Sequence, residues 1–290
     1  MQLLGEGHVS KMAVYPDDPV RYELRLDDQF IPLNPHIGSP ISIQYQGEIH
    51  CLHCQRRTKK SYSQGYCYPC FKKLAQCDLC VVSPDRCHYH KGTCREPEWG
   101  ETFCMKGHLV YLANSSGIKV GITKPEQIPT RWIDQGALQG LLIARTSTRQ
   151  LAGLVETIYK DHISDRTQWQ KMLKAEESLI DLQAERDRLA EEVRSDIEAL
   201  QAEHGIQAVQ LVEDGEVTRL QYPVQQYPTK VVALNLDKQP TIEGQLLGIK
   251  GQYLILDNGV INLRKYTSYR IAFHAGEAEP ESGVTGDLFG

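Results

Sequence analysis

The sequence contains no apolar run approaching the roughly 20 residues that a membrane-crossing helix requires. With 41% apolar and 24% charged residues, a soluble globular chain with no membrane partner is the expectation. The opening stretch MQLLGEGHVSKM lacks a signal-peptide pattern, so the cytoplasm is the expected location. A strong charge of one sign is also missing: 32 Lys and Arg stand against 37 Asp and Glu, a net charge of −5. That balance excludes a protein that coats nucleic acid with a uniformly basic surface.

What the chain does have is nine cysteines, and charge that is unevenly spread. Structural disulfides are rare in the cytoplasm, so most of these thiols are expected to be metal ligands. Between Cys51 and Val110 there are ten Lys/Arg against five Asp/Glu, a net of +5. Between Gln170 and Glu216 there are five against thirteen, a net of −8. A basic segment beside an acidic one points to a localised anionic partner; a solvated surface of fluctuating composition is the plainer alternative.

At 290 residues the chain can hold about two or three domains. Hydrophobic patterning predicts an α+β protein. Residues 1–48 alternate apolar and polar positions in short runs such as RYELRL and PISIQY, with turn signals between them, and read as an N-terminal β unit. Residues 49–107 hold every cysteine. Residues 108–166 read strand, strand, helix, strand, helix, and residues 167–206 read as a long polar helix from about Trp169 to His204. Leu173, Leu182, Leu189, Val193, Ile197 and Leu200 repeat on one face of that helix, forming either a buried stripe or a face for a protein partner. Residues 207–275 return to short strands with Gly-bearing turns, as in a small barrel or sandwich, and could pack with the N-terminal β unit. Residues 276–290 read as a disordered tail.

The most specific signal is Cys51-Leu-His-Cys54, a gap of twelve residues, then Cys67-Tyr-Pro-Cys70. Each C-x₂-C turn presents two thiolates to one ion, and two such turns complete a tetrahedral all-sulfur zinc site. A second zinc is expected at Cys77 and Cys80 with Cys94 and Cys104, because the gap from Cys80 to Cys94 resembles the gap in the first site. Cys87 with His90 is the rival pair. Neither site has an open position, so both zinc ions are read as structural. Between the first two cysteine pairs, Arg56, Arg57, Lys59 and Lys60 alternate with Tyr62 and Tyr66. Such a loop can grip phosphate and stack a base, although exposed zinc loops are also often charged for solubility alone.

The stretch His108–Lys124, HLVYLANSSGIKVGITK, forms two β-rich runs around Asn-Ser-Ser-Gly, and a lysine and a glycine interrupt the second run. A helix is predicted to open at Arg131 behind a Thr130 cap, and another to run from Ser147 to about Ile163 with Glu156 on the flank of its apolar stripe. The order Tyr111, Lys119-Val120-Gly121, Arg131, Glu156 resembles the GIY-YIG endonuclease superfamily, in a divergent K-x-G branch, over about residues 108–165. The chain as a whole also resembles an uncharacterised bacterial family known only as a domain of unknown function. The nuclease resemblance implies a GIY-YIG-like core flanked by the zinc region, the long helix and small β-barrel-like units at the termini. It also implies catalytic roles for Tyr111, Lys119, Arg131 and Glu156. Glu156 would hold Mg²⁺ or Mn²⁺, Tyr111 would orient or deprotonate water, and Arg131 would bind the phosphate. Lys119 stands where the family has its second tyrosine, and the loop between the motif halves is shorter than usual. Two readings follow: a zinc-containing, Mg²⁺-dependent endonuclease acting on DNA or RNA, or a non-catalytic DNA-, RNA- or ribonucleoprotein-binding protein that keeps the nuclease shape.

Overall fold

A computed structural model describes residues 1–163, 168–174 and 178–277. In chain order the elements begin with β1 (Gln2–His8), β2 (Ala13–Tyr15), β3 (Arg21–Leu26), β4 (Gln29–Pro32) and β5 (Pro40–Ile49). Three short helices, α1 (Tyr68–Lys73), α2 (Leu79–Val82) and α3 (Pro97–Phe103), thread the cysteine-rich segment. They are followed by β6 (His108–Asn114), β7 (Ile118–Thr123), α4 (Thr130–Asp134), β8 (Gln139–Thr146), α5 (Arg149–Lys160), α6 (Trp169–Met172) and α7 (Leu182–His204). The chain closes with β9 (Val209–Leu211), β10 (Thr218–Arg219), β11 (Thr241–Lys250), β12 (Tyr253–Leu256), β13 (Gly259–Asn262) and β14 (Tyr269–Ala275).

These strands form a mixed α/β structure with three sheets. The largest runs β1-β14-β5-β11-β12-β13, all antiparallel, so the two ends of the chain share one sheet. The expected barrel-like terminal units do not close. β5 pairs β14 on one side and β11 on the other, which leaves β1 and β13 as separate edges of an open sheet. Beside it stands a second sheet, β10-β8-β6-β7 with β9 also against β8, and a small third sheet, β2-β3-β4. The alternation in RYELRL is realised directly: Tyr22, Leu24 and Leu26 point inward with no exposure.

The β6–β7 hairpin divides two cores. On one face Val110, Leu112 and Val120 pack with Leu151, Val155 and Tyr159 of α5 and with α7. On the other face Tyr111 and Ala113 join Trp132 and Ile133 of α4 and the core of the large sheet. Period-two alternation therefore sends every residue of β6 into an interior, which explains an apolar run without a polar face.

Helix α7 begins at Leu182, thirteen residues later than the periodicity suggested, because the Asp181 carboxylate accepts from the Ala184 amide at 3.0 Å and caps the helix there. Its Leu182, Leu189, Val193, Ile197 and Leu200 are buried against the second sheet, while Leu173 packs elsewhere with Met172, Ile255 and Val260. In α5 the cap is Thr148, whose hydroxyl accepts from the Leu151 amide, and Lys160 ends the helix. Helix α4 has Pro129 at its N-cap; Thr130 makes no capping bond. Of the expected tail, 276–290, the Gly276 amide donates to the Pro40 carbonyl at 2.7 Å and the Glu277 carbonyl accepts from the Ser39 hydroxyl at 2.8 Å, and residues 278–290 lie outside the described residues. No described helix is long and apolar enough to cross a membrane.

Candidate functional site

The first cysteine cluster assembles as its spacing requires. Cys51 and Cys54 lie in a turn closed by the Gln55 amide donating to the Cys51 carbonyl at 2.9 Å, and Cys67 is the N-cap of α1, which carries Cys70. The ligand atoms of Cys51, Cys54, Cys67 and Cys70 all lie within 4.8 Å of one another, and the sulfurs of Cys54 and Cys67 are 3.7 Å apart. A tetrahedron of zinc–sulfur bonds of about 2.3 Å has edges of about 3.8 Å, so the cluster can hold a zinc ion. Burial pushes the Cys51 thiol up, but backbone N–H groups of Cys54, Cys67 and His53 outweigh it and hold its pKa at about 6. Cys70 is shifted the other way, by burial and by its hydrogen bonds to the other three thiols.

The remaining cysteines do not follow C-x₂-C logic. Asp78 is extended between two short helical turns and caps α2 through its carboxylate on the Leu79 amide, so Cys77 and Cys80 diverge. Cys77 turns toward the first cluster: burial raises its pKa, the Ser63 hydroxyl lowers it, and the charge of Cys51 reaches it. Cys80 instead lines a small cavity of about 10 Å³ with Cys87, Cys94 and Cys104. His90 is exposed on the surface. A second set of converging groups, Asp78, Cys80 and His88, lies within the same 4.8 Å limit.

The hairpin residues are brought together behind a wall. Tyr111 pairs with Gly121 across the hairpin, and Ala113 pairs with Lys119. A Cβ at Gly121 would stand 2.6 Å from the Tyr111 hydroxyl oxygen, so glycine there is what lets the phenol ring lie across the neighbouring strand. Tyr111 has no exposure, and its hydroxyl donates to Gln135 Oε1 at 3.0 Å. Burial raises its pKa; the Arg131 charge offsets part of the rise and Glu156 adds to it. Lys119 is also buried. Glu156 receives Lys160 at 3.3 Å, and its charge reaches Arg131 and Arg149 as well as Tyr111.

Of these four, Arg131 alone lines the large open cleft, whose volume is about 770 Å³. The cleft sits where the first cysteine loop, the hairpin base, α4, α5, β3 and the turn between β13 and β14 meet. Lys11, Arg25, Lys124, Arg131, Arg149 and Arg264 line it, against one carboxylate, Asp134, which Lys11 holds at 2.5 Å. The Nε atoms of Arg25 and Arg131 are buried without a hydrogen-bond partner. Lys124 lies 4.0 Å over the Phe103 ring, with Arg149 5.9 Å from the same ring. Burial lowers the pKa of His108, and the charges of Arg149 and Lys124 lower it further. Burial also lowers Arg264, which Arg131 crowds. Arg264 donates to Gln64 Oε1 at 2.7 Å and so ties the sheet to the cysteine loop. Arg56, Arg57, Lys59 and Lys60 lie on the exposed outside of that loop, and Arg57 donates to the Gly47 carbonyl at 3.1 Å. The same loop faces the cleft with Leu52, Ser63, Gln64 and Tyr66.

The sequence reading missed Lys11, Arg25, Lys124, Arg149 and Arg264 as a group. Each is an isolated cation in its own segment, and no local spacing links them. A family model described as "Protein of unknown function (DUF2797)" matches residues 38–271, most of the chain. No curated protein and no solved structure gives a significant match.

Proposed function

We propose that the chain, which belongs to the DUF2797 family, is a zinc-containing protein that binds DNA or RNA by its backbone phosphates in the cationic cleft. The observation that carries this reading is the cleft lining: six cations against one already paired carboxylate, with two arginine Nε donors lacking partners. Buried unpartnered donors on a positive wall are costly unless an anion completes them. Phosphodiester oxygens suit planar guanidinium forks, and Tyr66 offers a ring within the same lining.

A GIY-YIG-like core is part of the proposal. Its support is the element order β6-β7-α4-β8-α5, the Tyr111 ring crossing Gly121, and Arg131 opening α4 beside the phenol. Binding is favoured over hydrolysis because a phenol with no exposure, already donating to Gln135, is placed to support Arg131 and not to orient water. The enzyme reading rests on the resemblance, in which Glu156 would hold the metal; here Glu156 pairs with Lys160 at 3.3 Å and does not line the cleft.

The test is fluorescence anisotropy with labelled single-stranded and duplex oligonucleotides over a salt series. The Lys124→Ala/Arg131→Ala double variant should weaken binding and flatten the slope of log affinity against log salt by about 1.4–1.8, the loss of two phosphate contacts. An unchanged slope would move the site out of the cleft. The Arg56/Arg57/Lys59/Lys60 alanine variant measures what the exposed loop adds. Cleavage of the same substrates with Mg²⁺ or Mn²⁺ that disappears in Glu156→Gln at constant melting temperature would establish the enzyme reading.

A further inference from the structure

We propose that Cys80, Cys87, Cys94 and Cys104 form a second, all-sulfur zinc site, with Cys77 excluded from it. These four residues line one small cavity of about 10 Å³, together with Asp78, His88, Trp99 and Gly100, and a zinc ion would have to draw their sulfurs inside the 4.8 Å spacing that the first cluster already has. They arrive from four separate places: Cys80 in α2, Cys87 at the end of the turn after Pro84, Cys94 in the following loop, and Cys104 at the C-cap of α3. Gly100 permits the close packing, since a Cβ there would already touch Cys94 Sγ at 3.4 Å and the Tyr89 ring at 3.0 Å.

The neighbouring Asp78–Cys80–His88 set is engaged otherwise. Asp78 Oδ1 caps the Leu79 amide at 2.6 Å, and Oδ2 takes Arg95 Nε at 2.7 Å. His88 Nδ1 is 2.8 Å from the Thr93 hydroxyl, and its Nε2 is 3.5 Å from Asp78. These groups hold the backbone around the sulfurs, as outer partners of a metal site do. The opening of α5 clamps the same residues. Arg149 Nη1 donates to the Cys80 carbonyl at 2.8 Å, the Arg149 amide donates to the Cys104 carbonyl at 2.8 Å, and Gln150 donates to the Cys87 carbonyl at 3.2 Å. Three of the four ligand residues are thus fixed by one helix end. Arg149 sits between the sulfurs and the cleft, so its guanidinium offsets the negative charge of a zinc tetrathiolate.

The full chain, purified and analysed for metal, tests this without reference to nucleic acid. Nine cysteines allow two S₄ sites with one residue left over, and the proposal names Cys77 as the residue left over. Wild type and Cys77→Ser should each carry two zinc equivalents, and zinc-edge X-ray absorption of Cys77→Ser should show sulfur neighbours alone. With eight cysteines left and two S₄ zinc ions bound, all four named residues must be ligands. Cys87→Ser should carry one equivalent, and Co²⁺ substitution should show about half the thiolate charge-transfer intensity of wild type. Loss of one zinc in Cys77→Ser, a single zinc in wild type, or nitrogen and oxygen neighbours in the absorption spectrum would each overturn the proposal. The Cys77→Ser result decides the matter even if Cys87→Ser fails to fold.

Discussion

Gly121 and Tyr111 show how a single position is fixed by a contact that is remote in sequence. The glycine has ordinary extended backbone, so its requirement is space and not conformation: the ring of Tyr111 occupies the place of its side chain. Gly121→Ala should force the ring off its rotamer or the strands apart, at a cost of about 1–3 kcal/mol. The Tyr111–Gln135 hydrogen bond would be disturbed with it. Urea unfolding of the variant checks this, and an unchanged midpoint would mean that the ring can move at no cost. The sequence showed that Lys119 and Gly121 interrupt a β-rich run; the fold shows that Lys119 is buried and that Gly121 makes room for a phenol.

Helix α7 shows what periodicity can and cannot decide. Its stripe is buried within the molecule, and its charged faces stay outside, so the helix packs on the second sheet by amphipathicity alone. Leu189 has no exposure at the middle of the stripe. Leu189→Ala should cost about 2–5 kcal/mol, transfer and cavity together. A thermal or urea denaturation curve reads the loss directly, and a cost under 1 kcal/mol would show that the interface is looser than its burial implies. The same periodicity placed the helix start too early, because three- and four-residue spacings continue through Leu173, while the actual start is set by one carboxylate, Asp181.

Across the whole molecule the first cysteine cluster is coupled to the cleft through the loop it pins. Leu52, Ser63, Gln64 and Tyr66 form one wall of the cleft, and Gln64 takes the Arg264 hydrogen bond. Cys54→Ser should therefore lose one zinc equivalent and also weaken oligonucleotide binding, although Cys54 itself is exposed and does not line the cleft. A structural zinc–thiolate site contributes on the order of 10 kcal/mol to the folding of its module, so the loop should lose its order with the metal. Metal analysis and anisotropy on the same sample check both halves. Zinc loss with binding unchanged would uncouple the loop from the cleft. The acidic α7 covers the sheet face opposite the hairpin's Tyr111 side, so a chain of net charge −5 still presents a positive cleft.

The sequence by itself determined whatever one or two turns of backbone can encode. The 2-12-2 spacing of Cys51, Cys54, Cys67 and Cys70 is such a feature, because the turn at Cys51–Cys54 and the helix start at Cys67–Cys70 each aim two sulfurs at one point. The hairpin around Ser115 and Ser116 and the buried face of α7 are equally local. Only the tertiary structure decided which cysteines share a cavity with Cys80, since Cys87, Cys94 and Cys104 reach it by the packing of separate turns and not by spacing. It also decided the cleft. Lys11, Arg25, Lys124, Arg131, Arg149 and Arg264 span more than 250 positions, and strand pairing and helix docking bring them to one wall. Each looks like a solvated surface cation in its own segment, and a field that drops off with distance and dielectric gathers strength only once the fold has set them side by side.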